Sequence, residues 1–153
     1  MTDYRSPLLD LPDAVAVEGA VDRGVAAHYG DPLREQRELA SGNGFVDLSH
    51  RGVVRISGPD RLSWLHNLTT QRLDTLAPGV GVDALILSPQ GHVEHHLQLV
   101  DDGEATWMHV EPASVDALVA FLMSMRFMLQ VEPQDVTADW AVVWEPLSEP
   151  HPT

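Results

Sequence analysis

Apolar residues recur along this chain at two spacings, one helical and one of strands. After Pro112, the residues Val115, Leu118, Val119, Leu122 and Met125 fall at offsets 0, 3, 4, 7 and 10, which lays them on one helix face. Leu62, Leu65 and Leu68 repeat every three residues behind Gly58-Pro59-Asp60, enough for one stripe against a sheet. A further helix is predicted from Asp31-Pro32, an N-cap acid before a first-turn proline, through LREQRELA to Gly42 and Gly44. Strand-like segments lie between these helices. FVDLS and VVRIS flank His50-Arg51-Gly52, and VDALILS and HVEHHLQLV flank Pro89-Gln90-Gly91 as a hairpin. ATWMHVE follows the turn Asp101-Asp102-Gly103, and short strands around MLQVE and WAVVW close the regular part.

The resulting order, after an initial helix, is β-β-α-β-β-β-α-β-β. Hairpin-connected strands with interspersed helices predict an α+β fold, an antiparallel sheet with helices packed on one side. Residues 1–27 mix prolines, acids and small residues without a sustained period and read as an N-terminal arm with at most short ordered pieces. Residues 28–145 carry the domain, and the proline-rich residues 146–153 read as a loose tail.

Composition narrows the function classes. The 153 residues suffice for a core that buries roughly 70% of the unfolded chain's surface. There is no cysteine, so disulfides and thiolate-ligated metal sites are excluded for these residues. No apolar stretch approaches the ~20 residues of a membrane span, and the acidic, proline-bearing start lacks signal-peptide character, so a cytoplasmic location is expected. The net charge of -14, with nine arginines and no lysine, disfavours nucleic acid and anionic membranes as partners. No nucleophile triad, P-loop or dinucleotide fingerprint is present. The histidine-rich strand invites a metal reading, because alternation puts His92, Glu94 and His96 on one face. Those three side chains span roughly 13 Å of strand, too far for one ion without a bend or bulge, and no metal is expected. Val93, His95 and Leu97 fall on the other face.

The segment GFVDLSHRGVVRISGPDRLSWLHNLTTQRL, residues 44–73, resembles the opening of the aminomethyltransferase and YgfZ superfamily of folate-binding proteins. The matching pieces are Gly44, Asp47-Leu48-Ser49, Ile56-Ser57-Gly58-Pro59-Asp60 and Leu68-Thr69-Thr70. Pro78-Gly79, LILSPQGHV and MRFMLQVEPQDVT follow in order, so the resemblance covers about residues 20–145. It implies one half of a two-half fold that encloses tetrahydrofolate. The cysteine-bearing Lys-Gly-Cys-Tyr-x-Gly-Gln-Glu signature of YgfZ-type proteins belongs to the second half, which these residues do not include.

The resemblance also assigns site residues. Aminomethyltransferases carry Gly-Gly-hydrophobe-x-Asp-Asp-Leu where this chain has Gly91-His92-Val93-Glu94-His95-His96-Leu97. The first aspartate is their acid/base group, and His95 stands in its place. An imidazole also moves protons, but it does not reproduce the electrostatics of a carboxylate. No catalytic residue is therefore expected. His50 and Arg51 occupy the turn where the enzymes carry His-Met beside the folate; Arg51 is suited to pairing with the folate's glutamate carboxylates. Leu85, Leu87, His95 and Leu97 are expected to form one apolar pocket wall, and Tyr29 matches a family tyrosine before the first helix. The tryptophans Trp64, Trp107, Trp140 and Trp144 read as core or sheet-covering residues. The implied function is non-enzymatic tetrahydrofolate binding, with relatives that support iron–sulfur cluster assembly or repair and iron–sulfur proteins as partners. The alternatives are a folate-dependent one-carbon transferase using His95, and a half-domain that pairs as a homodimer through its exposed face or is a non-functional fragment.

Overall fold

The computed structural model describes residues 4–147; the predicted tail lies outside them from residue 148 onward. The strands are β1 (Val15–Ala16), β2 (Ala26–His28), β3 (Val46–Asp47), β4 (Gly52–Ser57), β5 (Gly81–Leu87), β6 (Val93–Asp101), β7 (Ala105–Val110), β8 (Glu132–Asp135) and β9 (Val143–Trp144). The helices are α1 (Pro32–Ala40), α2 (Arg61–Leu68) and α3 (Val115–Ser124), with 3-10 turns at Pro7–Asp10 and Pro112–Ser114. The fold is α+β, with every strand pair antiparallel. Two units divide the chain. One holds the residues up to His50 and again from Ala141, the other Arg51–Trp140.

The Arg51–Trp140 unit is built on a five-stranded sheet in the order β5-β6-β7-β4-β8. Alternation sends Val54 and Ile56, Ala84 and Ile86, Leu97 and Leu99, and Met108 and Val110 to one face, where α2 and α3 cover them. Leu65, Leu97, Leu118 and Leu122 are wholly buried there, each contributing roughly 1.5–3 kcal/mol. On α2 the stripe is carried by Trp64 and Leu65, with Leu68 only partly buried. Trp64 is thus a core residue, its indole N–H donating to the Met125 carbonyl at 2.9 Å. Beyond α2 the chain runs along the outer edge of β5. Thr70 N–H donates to the Leu85 carbonyl, and the Leu85 N–H donates to Thr70 Oγ1.

A buried ion pair ties α2 to the β6–β7 turn. Arg61 grips Asp101 through Nε at 2.7 Å and a terminal nitrogen at 2.9 Å, while Thr106 Oγ1 donates to the same carboxylate at 2.7 Å. Burial alone would raise the Asp101 carboxyl, but the Arg61 and Thr106 hydrogen bonds and the Gly103 N–H leave it below the usual range. The strand predicted around MLQVE begins later than expected. Phe127 takes a left-handed φ of 47°, Leu129 N–H closes a turn onto Arg126, and pairing starts only at Glu132. The turn sits against Gly58, whose φ is 107° and where a Cβ would lie 2.0 Å from the Gln130 oxygen. Only glycine leaves room there.

In the other unit, β1 pairs with β2, and β3 pairs with β9. The predicted strand FVDLS shrinks to Val46–Asp47 because Asp47 bends the chain. Its carboxylate accepts the Ser49 N–H at 2.9 Å and the Ser6 hydroxyl, and Tyr4 donates to Ser49 Oγ at 2.7 Å. Asp31 caps α1 as predicted, accepting the Arg34 N–H at 3.0 Å.

Candidate functional site

The face of the large sheet opposite the helices carries the polar chemistry. Strand alternation that buries Met108 and Val110 leaves Trp107 and His109 on this open face, and the same rule on β4 and β6 leaves Arg55, His96 and Gln98 there. Arg55 lies over the Trp107 ring at 5.5 Å, and Trp140 meets that ring edge-on at 4.7 Å. Arg51, just before β4, donates from Nε to His109 Nδ1 at 3.3 Å. Burial, then the positive charge of Arg51, hold His109 down at about 4, against the opposing pull of Asp83. The ring is therefore neutral at pH 7. Arg51 borders a cleft of about 330 Å³ with Val93, Glu94, His96, Gln98, Glu111 and Ser114.

The predicted site residues are distributed as follows. Arg51 lies in this cleft. Leu85 is paired across the hairpin with His96, on the open face. His95 and Leu97 pair with Ile86 and Ala84 and point the other way, under the helices. The single wall expected from Leu85, Leu87, His95 and Leu97 is thus divided between opposite faces of the sheet, because residues 84 and 86, not 85 and 87, are cross-strand partners of 97 and 95. A bulge where Leu87 pairs with Val93 breaks the alternation. Val93 is consequently 58% exposed, not grouped with His95 as strict alternation predicts. His95 is 8% exposed, its ring tilted against Phe121 with centroids 6.5 Å apart, and Nδ1 has no partner among the described residues. Burial pushes this imidazole below its ordinary value.

His50 and Tyr29 belong to the other unit. His50 is buried, with Nε2 at 2.9 Å from Asp22 Oδ1. Tyr29 borders a cavity of about 420 Å³ between β2, α1 and β3. Burial raises its phenol, and the Asp47 and Glu35 carboxylates add to the shift. The Tyr29 hydroxyl and His50 Nδ1 are buried without a hydrogen-bond partner among the described residues. Among those residues no group of three histidines or acids could hold a metal ion, and His96 instead meets Asp83 at 3.1 Å. Nor is any helix long and apolar enough to cross a membrane. Sequence reasoning missed His109, Gln98 and Glu111. The period-two pattern of ATWMHV, which sets Trp107 and His109 on one face, was the available signal for the first of these.

Comparison with known proteins agrees with this architecture. The aminomethyltransferase of Bacillus subtilis is 29% identical over 113 residues, 72% of this chain and 31% of that protein. The mitochondrial iron-sulfur cluster assembly factor IBA57 homolog of Mycosarcoma maydis is 29% identical over 119 residues, 68% of this chain and 30% of that protein. The chain spans about a third of the length of the curated relatives it matches. Its fold is that of the glycine cleavage system aminomethyltransferase T from Bartonella henselae, with a TM-score of 0.64 over 82% of this chain and 35% of that one, at 18% identity. The family description "GCVT N-terminal domain" matches residues 26–144, and the chain belongs to that family.

Proposed function

We propose that this chain serves a non-enzymatic, YgfZ-type folate-binding protein that supports iron–sulfur cluster assembly or repair. The observation that carries the reading is the state of position 95. An acid/base group needs a hydrogen-bonding path to its substrate. His95 is a buried imidazole pressed on Phe121, with its pKa lowered and no carboxylate in its place. Proton transfer at the folate therefore lacks the group that the enzymes of the family use.

Binding is supported by the Arg51 cleft. Tetrahydrofolate offers a polar reduced pterin, a flat p-aminobenzoyl ring and an anionic glutamate end. Arg51 fits the last, since a guanidinium recognises carboxylates through paired N–H donors. When bound, the folate would supply a one-carbon carrier; Arg51 would hold its carboxylate, and Gln98 and Ser114 would furnish neutral hydrogen bonds at the wall. The cluster-maintenance role draws on the likeness to the cluster assembly factor, and a cysteine-free chain would contribute to it through folate rather than by ligating iron.

Calorimetric titration with tetrahydrofolate, beside size-exclusion chromatography, tests the reading. We expect saturable binding by the protein, at least tenfold weaker in Arg51→Ala, without turnover of aminomethyl groups. Aminomethyl transfer that His95→Ala abolishes would establish the enzyme instead. No binding at millimolar folate would end the folate reading.

A further inference from the structure

Arg51 is held by a neutral acceptor, although the protein is acidic. Glu94 and Glu111 border the same cleft, yet among the described residues no carboxylate lies within ion-pair distance of its guanidinium. Its side-chain hydrogen bond goes from Nε to an imidazole nitrogen, His109 Nδ1. An imidazole accepts at Nδ1 only when that atom carries no proton, so the geometry requires the neutral ring protonated at Nε2. The surroundings favour that state. His109 is flanked on its sheet face by Val53 of β4 and Gln98 of β6, with Asp83 of β5, His96 of β6 and Arg51 as the charged or titratable groups around it.

A carboxylate in place of His109 would fix Arg51 equally well but would cancel its charge and compete with any anionic ligand. A neutral acceptor fixes the arginine and leaves its charge available. It also occupies Nε, leaving the two terminal nitrogens, an edge able to fork onto a carboxylate. We infer that His109 is a positioning residue, whose neutral ring holds Arg51 by Nε so that the terminal edge of the guanidinium can take a carboxylate of the ligand bound in the cleft. The inference rests on the folate reading, and it commits that cleft to the glutamate end of the molecule.

The test titrates the protein with 5-formyltetrahydrofolate monoglutamate and with p-aminobenzoylglutamate, which carries the glutamate end alone. His109→Leu removes the acceptor; His109→Asn returns an amide oxygen near the place of Nδ1. We expect His109→Leu to weaken both probes about tenfold, the fold-change corresponding to a hydrogen bond to a charged group. His109→Asn should recover most of that loss. In an Arg51→Ala background, His109→Leu should cost nothing further. In the unliganded protein, nuclear magnetic resonance should show slowed exchange of the Arg51 Nε–H, lost in His109→Leu and regained in His109→Asn.

Outcomes separate the two claims. A protein that binds neither probe overturns the folate reading, while the Nε–H exchange still decides whether His109 holds Arg51. Binding that Arg51→Ala weakens and His109→Leu leaves intact overturns the positioning role alone. An equal loss from His109→Leu with and without Arg51 would mark a packing effect and overturn it too.

Discussion

Replacing His95 by leucine should stabilise the protein, although His95 carries the functional reading proposed above. The imidazole is 8% exposed on the helix-covered face of the sheet, between β5 and α3, and its Nδ1 finds no partner among the described residues. A buried polar atom left unsatisfied costs about 1–3 kcal/mol. Leucine is close to histidine in volume and carries no such atom. The variant gives up a tilted ring contact with Phe121 at 6.5 Å, near the outer limit for an aromatic pair and worth at most about 1 kcal/mol. The balance is a gain of about 1 kcal/mol at pH 7.5, or about 2–4 °C in melting temperature for a chain of this size. A second signature lies in the pH dependence. Burial holds the folded-state pKa of His95 below its ordinary value, so as pH falls below about 6.5 the unfolded chain takes up a proton that the folded chain refuses. This group's share of stability is complete above that pH and is lost progressively below it. His95→Leu has no such loss, so its advantage should widen between pH 7.5 and pH 5.5. Urea denaturation at the two pH values measures both quantities. A variant less stable than wild type at both, or an advantage that does not change with pH, would refute the placement of this ring in the core.

Other substitutions probe the scaffold. Arg61→Leu strands the Asp101 carboxylate, 1% exposed, and should cost about 3–5 kcal/mol by urea denaturation, whereas Arg61→Leu with Asp101→Leu should cost much less. Because the Asp101 pKa is depressed in the fold, its contribution is complete above about pH 4 and is lost as pH falls further; acid titration of wild type against the double variant reads this out. Gly58→Ala, forced into φ 107° with its Cβ against the Gln130 oxygen, should cost about 2 kcal/mol or more, and a melting temperature within error of wild type would contradict it. Phe127→Asn should gain about 0.5–1 kcal/mol in denaturant, since Phe127 is 82% exposed and sits at φ 47°, where asparagine is tolerated better.

The fold class was legible because its signals are local and redundant. The α3 stripe, the Asp31-Pro32 cap and the Pro89-Gln90-Gly91 hairpin each specify their own element, and each forms as read. What misled was a one-residue question of register. Leu85 and Leu87 look like partners of His95 and Leu97 in sequence, but a hairpin can place either 85 and 87 or 84 and 86 opposite them, and turn geometry decides. The bulge at Val93–Glu94 also lies beyond the reach of period counting. In the segment around MLQVE, strand propensity lost to a left-handed turn that the packing against Gly58 dictates. The candidate cleft was legible only at Arg51, through resemblance. His109 escaped notice because a lone histidine between a methionine and a valine carries no motif, and its role depends on a neighbour 58 residues away.

The pairing of Thr70 with Leu85 bears on how this protein meets other chains. An outer strand with unspent backbone groups is a template on which a foreign strand can seed and lengthen a sheet. Here the middle of β5 spends its outward N–H and carbonyl on Thr70, and the opposite rim is the four-residue β8, which has no donor at Pro133. An incoming strand would have to evict Thr70 at one rim or accept a missing bond at the other. Both ends of the ladder are therefore poor sites for polymerisation. Recognition of this unit then falls to side chains on its faces and turns, where charge and shape discriminate among partners, and not to the backbone, which is the same in every chain.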